Sequence, residues 1–257
     1  NLHAGHISLI ERARQDGCFV VASIFVNPMQ FNDPADLERY PRTLPADQQQ
    51  LDSARCDLLF APNVTEMYPQ GQTGMTRVTV PGVSEGLCGG SRPGQFDGVA
   101  TVVAKLFNMV QHDNTYFGEK DFQQVAVIRK MVADLDIPVH IIPVPTARAT
   151  DGLALSSRNG YLSEQERAIA PALHEGLQQI AASLQAGHSV AEAIGNAESF
   201  INSRGFRCDY LEVRHAATLQ PADAPASGDQ LVILGAAFLG KARLIDNIQV
   251  ALNPHID

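Results

Sequence analysis

Two histidines, His3 and His6, open the chain in the run His3-Ala4-Gly5-His6, which leads directly into an apolar helical pattern through Ile7, Leu9 and Ile10. Imidazoles spaced i, i+3 at a helix start can face one point. Gly5 between them lets a ligand approach the backbone closely. The helix end adds unpaired N–H groups and a partial positive charge, a combination suited to the phosphates of ATP. A second polar cluster, Gly118-Glu119-Lys120-Asp121, lies where a strand pattern stops and a helix begins. A third, Ser156-Ser157-Arg158-Asn159, follows Asp151-Gly152 in a loop. Lys120 and Arg158 can counter phosphate charge, and Ser156 and Ser157 can donate hydrogen bonds to phosphate oxygens. Asn27 and Gln30 come just after another strand. Taken singly, each cluster also has an ordinary explanation, as surface histidines, a charged helix start or a capping loop.

These groups need a framework, and the apolar pattern supplies one. Residues 7–16 read as a helix. Cys18 to Val26 is a continuous apolar run, the signature of a strand covered on both faces. Helices are expected at 46–54, 98–111 and 122–135, and strands at 57–61, 115–117 and 139–144, with Val78–Val80 as an edge strand. Strand and helix in alternation predict a doubly wound α/β sheet, whose ligands bind in the crevice at the strand C-termini. Beyond about residue 146 the order changes. Ser163 and Glu166 form a capping box that opens a helix running to about Ala186. A further helix is expected at 189–203, then strands at 210–213, 231–234 and 242–245, a small α+β domain.

The chain's 257 residues, 45% of them hydrophobic, suffice for one large domain or two ordinary ones. The net charge of −9, with no basic run, argues against nucleic acid as a partner. An acidic protein that handles a polyanion does so at a local site, with a divalent cation. No apolar stretch reaches the length of a membrane span. Cys18, Cys56, Cys88 and Cys208 are scattered and form no C-x-x-C, so neither a zinc site nor a disulfide framework is expected, and a reducing cytoplasm fits.

Longer segments unite these clusters. They are F-V-N-P-M-Q-F at 25–31, Y-P-R-T at 40–43, S-R-P-G at 91–94, F-G-E-K-D-F-Q-Q at 117–124, D-G-L-A-L-S-S-R-N at 151–159 and L-I-D-N at 244–247. In them the chain resembles the pantoate–β-alanine ligase family over essentially its whole length. The resemblance implies a Rossmann-like doubly wound parallel sheet of the H-x-G-H nucleotidyltransferase type at 1–145. A smaller α+β lid domain is implied at 146–257. It implies an ATP-dependent, AMP-forming ligase that condenses pantoate with β-alanine through pantoyl adenylate. His3 and His6 would contact the ATP phosphates, with His6 the proton donor; their protonation is left open. Gly118, Glu119, Lys120 and Asp121 would line the nucleotide site, Lys120 beside the phosphates and Asp121 on the ribose. The backbone of Ala147 would meet the adenine. Leu155, Ser156, Ser157 and Arg158 would form the phosphate loop. Gln30 and Gln124 would hold pantoate, with Asn27, Tyr40 and Arg92 lining the same pocket and Gln30 also near β-alanine. Asp47 is an outer contact. Mg²⁺ is expected on ATP through water and phosphate oxygens, with no protein ligands. A homodimer in the cytoplasm, with neither nucleic acid nor membrane as partner, completes the expectation.

The chain departs from the family pattern in three places. The strand ending P-T-M-G that usually precedes the position of Asn1 is absent here, which is expected to open a sheet edge. Gln95 stands where S-R-P-G-H-F is usual, and Cys88 replaces a common glutamate. Two alternatives stay open at this point: another H-x-G-H nucleotidyltransferase, against which Gln30 and Gln124 speak, and an inactive nucleotide-binding fragment.

Overall fold

A computed structural model describes residues 1–31 and 34–252, except for the side chain of Asp36. The chain divides into two units, one of Asn1–Glu119 with Gln123–Pro145, the other of Lys120–Phe122 with the chain from Thr146 onward.

The first unit is α/β. It contains α1 (Ala4–Gln15), β1 (Val21–Ser23), α2 (Pro34–Arg39), α3 (Leu44–Ser53), β2 (Leu58–Phe60) and α4 (Val64–Met67). There follow α5 (Leu87–Ser91), α6 (Gln95–Val110), β3 (Asn114–Gly118), α7 (Phe122–Asp134) and β4 (His140–Val144). Both strand pairings are parallel, β1 with β2 and β3 with β4. Among the described residues the two pairs are not hydrogen-bonded into one sheet. Instead Val20–Ile24 and Thr115–Phe117 line a single cavity of about 290 Å³, floored by α1 and α6. The apolar run at 18–26 accordingly yields a ladder of only three residues, because its strand partner among the described residues, β2, is itself that short.

Two further expectations are corrected. Val78–Val80 is not a strand; the Val78 N–H is taken by the Thr101 hydroxyl on α6, at 2.9 Å, rather than by a strand neighbour. The helix expected from Ser163 to Ala186 is two helices, α8 (Glu164–Ile169) and α9 (Ala172–Gln185). Pro171 lies at the break, where it has no N–H to continue the helix ladder. The capping box is present at the start of α8.

The second unit also has α10 (Val190–Ser203) and an antiparallel sheet of β5 (Arg207–His215), β6 (Gln230–Leu239) and β7 (Ala242–Ala251) in the order β5-β6-β7. Leu177 and Ile180 of α9, Ile201 of α10 and Leu231 and Ile233 of β6 form its core. Gly235 lets α9 approach β6 closely: a Cβ there would lie 3.0 Å from the Leu177 and Leu211 side chains. Among the described residues no helix is long and apolar enough to cross a membrane.

Candidate active site

His3 is the N-cap of α1, and the two histidines cap it reciprocally. Gly5 N–H donates to His3 Nδ1 at 3.1 Å, and His3 N–H donates to His6 Nδ1 at 3.2 Å. A backbone N–H can only donate, so each Nδ1 presents a lone pair, and each neutral ring carries its proton on Nε2. The ring centroids are 4.0 Å apart. The two imidazoles thus sit together at a helix N-terminus with Nδ1 of each engaged by a backbone N–H. The backbone contacts thus select the Nε2–H tautomer of each neutral ring. Asp47 does not reach outward. Its buried carboxylate accepts from Leu2 N–H at 2.7 Å and from the Thr43 hydroxyl, and so fixes the entry to α1.

His6 lines the 290 Å³ cavity. A second cavity of about 170 Å³ is lined by Phe25, Asn27, Gln30, Val99 and Gln124. Ser23, Val103 and Leu106 line both, so the two adjoin across these side chains. The structure thus brings Gln30, Gln124 and Asn27 together. Tyr40 and Arg92 are not among the lining residues; the Tyr40 ring packs edge-on against Phe31, and Arg92 ends α5. Gln123, next to Gln124 in sequence, turns inward and donates to the Val83, Glu85 and Gly86 carbonyls. Gln95, in the histidine position of the family motif, has a buried Oε1 with no hydrogen-bond partner among the described residues.

The turn Pro28–Gln30 that carries Gln30 sits against α6 at Gly98. A Cβ on Gly98 would fall 2.5 Å from the Met29 carbonyl oxygen, a backbone atom that cannot swing away. Gly98→Ala is therefore expected to lower stability by about 1–3 kcal/mol by overpacking. Because the displaced turn holds Gln30, ligand affinity at this cavity is expected to fall as well. A thermal melt and a titration of the variant check both.

In the second unit, a short hairpin presents the serine-rich loop. Leu155 N–H donates to the Ala147 carbonyl at 2.9 Å, and Arg148 bridges Ala154. Ser156 caps the 3-10 turn Ser157–Tyr161, its hydroxyl accepting from Arg158 N–H at 3.2 Å. Lys120, Ser156 and Arg158 line one small cavity. Asn247 Nδ2 donates to the Lys120 carbonyl at 2.9 Å, and Lys120 Nζ lies 3.8 Å from Asp121. Gly118 and Glu119 follow one another at the end of β3, in the first unit.

Sequence reasoning assigns no role to the network beneath this loop. Asp246 on β7 accepts two hydrogen bonds from Arg148, at 2.7 and 2.9 Å, and one from His174 Nδ1 on α9, at 3.0 Å. A carboxylate only accepts, so His174 carries its proton on Nδ1, the reverse of His3 and His6. Burial alone would raise the Asp246 pKa. The His174 hydrogen bond and the Arg148 pair outweigh it and hold the carboxyl below its usual range. Arg148 also donates to the Gly152 carbonyl, closing the hairpin turn. Asp246 belongs to the L-I-D-N segment, the one signal that could have pointed here.

Among the described residues no group of three or more His, Cys, Asp or Glu side chains is placed to hold a metal ion. A family model described as pantoate-beta-alanine ligase matches residues 1–249. The chain is 60% identical to the pantothenate synthetase of Pseudomonas fluorescens (strain Pf0-1), over 98% of this chain and 88% of the relative. A crystal structure of pantothenate synthetase from Thermus thermophilus superposes with a TM-score of 0.89 at 49% identity, covering 96% of this chain and 89% of that one. A pantoate-beta-alanine ligase from Francisella tularensis, complexed with beta-gamma ATP and beta-alanine, gives 0.77 at 38% identity, covering 96% and 85%.

Proposed function

The chain belongs to the pantoate–β-alanine ligase family, and it is an ATP-dependent ligase joining pantoate to β-alanine; we propose that it works in two steps at the residues described above. In the first, a pantoate carboxylate oxygen attacks the α-phosphorus of ATP. The bond from that phosphorus to the bridging oxygen breaks, and pyrophosphate leaves with the electron pair. In the second, the neutral amine of β-alanine attacks the acyl carbonyl of pantoyl adenylate. The C–O bond to phosphate breaks, AMP leaves, and the new amide sheds a proton. Both steps hold anions in line while charge grows on phosphate oxygens, so fixed donors supply the acceleration.

The observation that carries this reading is the pair of reciprocally capping imidazoles, His3 and His6, at one helix start. The cavity that His6 lines adjoins one lined by Gln30 and Gln124. In the reading, His3 and His6 donate hydrogen bonds to ATP phosphate oxygens, and His6 is the proton donor to the oxygen that departs with pyrophosphate. Lys120 with Ser156, Ser157 and Arg158 neutralises the β- and γ-phosphates. Leu155 belongs to the same phosphate loop, while Gly118, Glu119, Asp121 and Ala147 line the nucleotide site. Gln30 and Gln124 hold pantoate, and Asn27, Tyr40 and Arg92 are read as lining the same pocket. Mg²⁺ enters with ATP, ligated by phosphate and water, as suits a hard cation without a carboxylate cage. The first unit is read as a doubly wound Rossmann-like domain binding nucleotide and pantoate. The second is read as a lid. A cytoplasmic homodimer fits the family and the four free cysteines. Another H-x-G-H nucleotidyltransferase is not favoured by the family match.

The test is pantoate-dependent ATP–pyrophosphate exchange with Mg²⁺ and without β-alanine. Exchange supports acyl-adenylate chemistry, and exchange that other small acids support equally well would overturn the substrate. Gln124→Ala is expected to raise the pantoate KM by about tenfold, the worth of a charge-assisted hydrogen bond, with the ATP KM unchanged.

A further inference from the structure

Asn27 is 3% exposed, and every hydrogen-bonding position of its side chain that the structure records faces the protein. Its Oδ1 accepts from Met29 N–H at 3.2 Å and lies 2.8 Å from Tyr68 Oη. Its Nδ2 donates to the Gly98 carbonyl at 3.0 Å and lies 2.9 Å from Gln30 Oε1. The orientation of this amide is forced. The Met29 N–H can only donate, so the atom facing it is oxygen. The Gly98 carbonyl can only accept, so the atom facing it is nitrogen. Two consequences follow in series. Tyr68 must donate its hydroxyl proton to Asn27. Gln30 must turn its oxygen toward Asn27, because Nδ2 has only protons to offer.

We propose that Tyr68 is a positioning residue for recognition of the acid: through Asn27 it fixes the Gln30 amide so that Gln30 Nε2 is the atom left for substrate. The proposal rests on the reading of the Gln30–Gln124 cavity as the pantoate site. It changes the role of Asn27, whose amide is spent on the protein, from contact to relay. It also restricts what Gln30 Nε2 can bind. Nε2 offers only hydrogen, so its partner is an acceptor oxygen, a carboxylate or a hydroxyl lone pair. The ammonium of β-alanine, itself a donor on all sides, is excluded from that contact.

The surroundings of Tyr68 suit a fixed donor. The residue is 3% exposed, ends α4, packs edge-on against Phe25 at 5.9 Å and has Lys105 Nζ 5.9 Å from its ring centroid. Burial pushes its hydroxyl pKa up to about 12, so the proton stays on at every working pH. The Gln30 side chain, by contrast, has the bond from Asn27 as its sole hydrogen bond among the described residues.

The experiment is a double-mutant cycle of Tyr68→Phe and Gln30→Ala, read as KM for pantoate and KM for ATP, with melting temperatures alongside. Tyr68→Phe keeps the ring and removes the donor. It is expected to raise the pantoate KM about fivefold, the effect of one neutral hydrogen bond, and to leave the ATP KM alone. In the Gln30→Ala background it is expected to add nothing, since the relay then has no terminus. An equal effect in both backgrounds would assign Tyr68 a purely structural role and overturn the proposal. Gln30→Glu supplies a second reading that does not depend on how Tyr68→Phe folds. It still accepts from Asn27 but offers the substrate an anionic acceptor, so it is expected to bind pantoate more weakly than Gln30→Ala. Pantoate binding by Gln30→Glu as tight as wild type would sink the polarity argument. A pantoate KM unchanged in Gln30→Ala would instead remove pantoate from this cavity, a failure of the underlying reading that the cycle distinguishes from failure of the relay.

Discussion

His6→Ala is expected to cut adenylate formation about 10²–10³-fold, the usual consequence of deleting one preorganised donor to a developing oxyanion. The fold is expected to survive. His6 Nδ1 accepts the His3 N–H, so its loss removes one half of a reciprocal cap, worth about 1 kcal/mol. The other half, Gly5 N–H to His3 Nδ1, remains. Pyrophosphate exchange and a thermal melt on the same preparation separate the two effects. Turnover near wild type would remove His6 from the chemistry. A collapse of the melt in step with the rate would mean that the variant reports on helix stability instead.

The largest expected effect on stability comes from the other unit. Asp246→Ala leaves the Arg148 guanidinium and the His174 ring without their shared acceptor, both at half-buried sites. Breaking a buried ion pair from one side costs about 3 kcal/mol. The hairpin that presents Ser156 is then held at its base by fewer bonds, so ATP affinity is expected to fall in parallel. The pH dependence gives an independent check. The folded-state pKa of Asp246 lies below the unfolded value of about 4. Its contribution is therefore complete above the unfolded pKa and is lost as pH falls through the folded one. Denaturant midpoints of wild type and variant are expected to converge in acid and to differ fully near neutrality. A constant gap across the whole range would show that the carboxylate charge is not what stabilises the loop.

The large elements are legible in the sequence because they obey a local rule. The periodic apolar faces of α6 and α9 and the capping box at α8 can be read without knowing what they touch. The interruption at Pro171 is equally visible, but the helical pattern on both sides of it masks the break. The strands of the first unit are harder. An apolar run announces burial, but the length of its ladder depends on the partner, and β2 lies far away in the chain. The same division runs through the site. His3, His6, Gln30 and Gln124 are nominated by residue type and motif. Their tautomers and amide orientations are not, because those are set by backbone groups that only the fold brings near. Tyr68 and Asp246 escape sequence reasoning for the same reason: each acts through one intermediary, 41 residues away for Tyr68 and 98 for Asp246.

The start of α1 sets two demands on the same atoms. Histidine is an indifferent N-cap; aspartate, serine and asparagine satisfy a helix start better. His3 nevertheless occupies that position, and in the proposed reaction its second nitrogen is the one that meets phosphate. Position 3 is thus a point of conflict between durability and turnover. A library of variants selected for heat resistance alone will drift there toward Asp or Ser, and its most robust members will be poor catalysts. Conversely, imidazole at both ends of one cap means that the donors are held before any nucleotide arrives. The helix, rather than the ligand, aligns them.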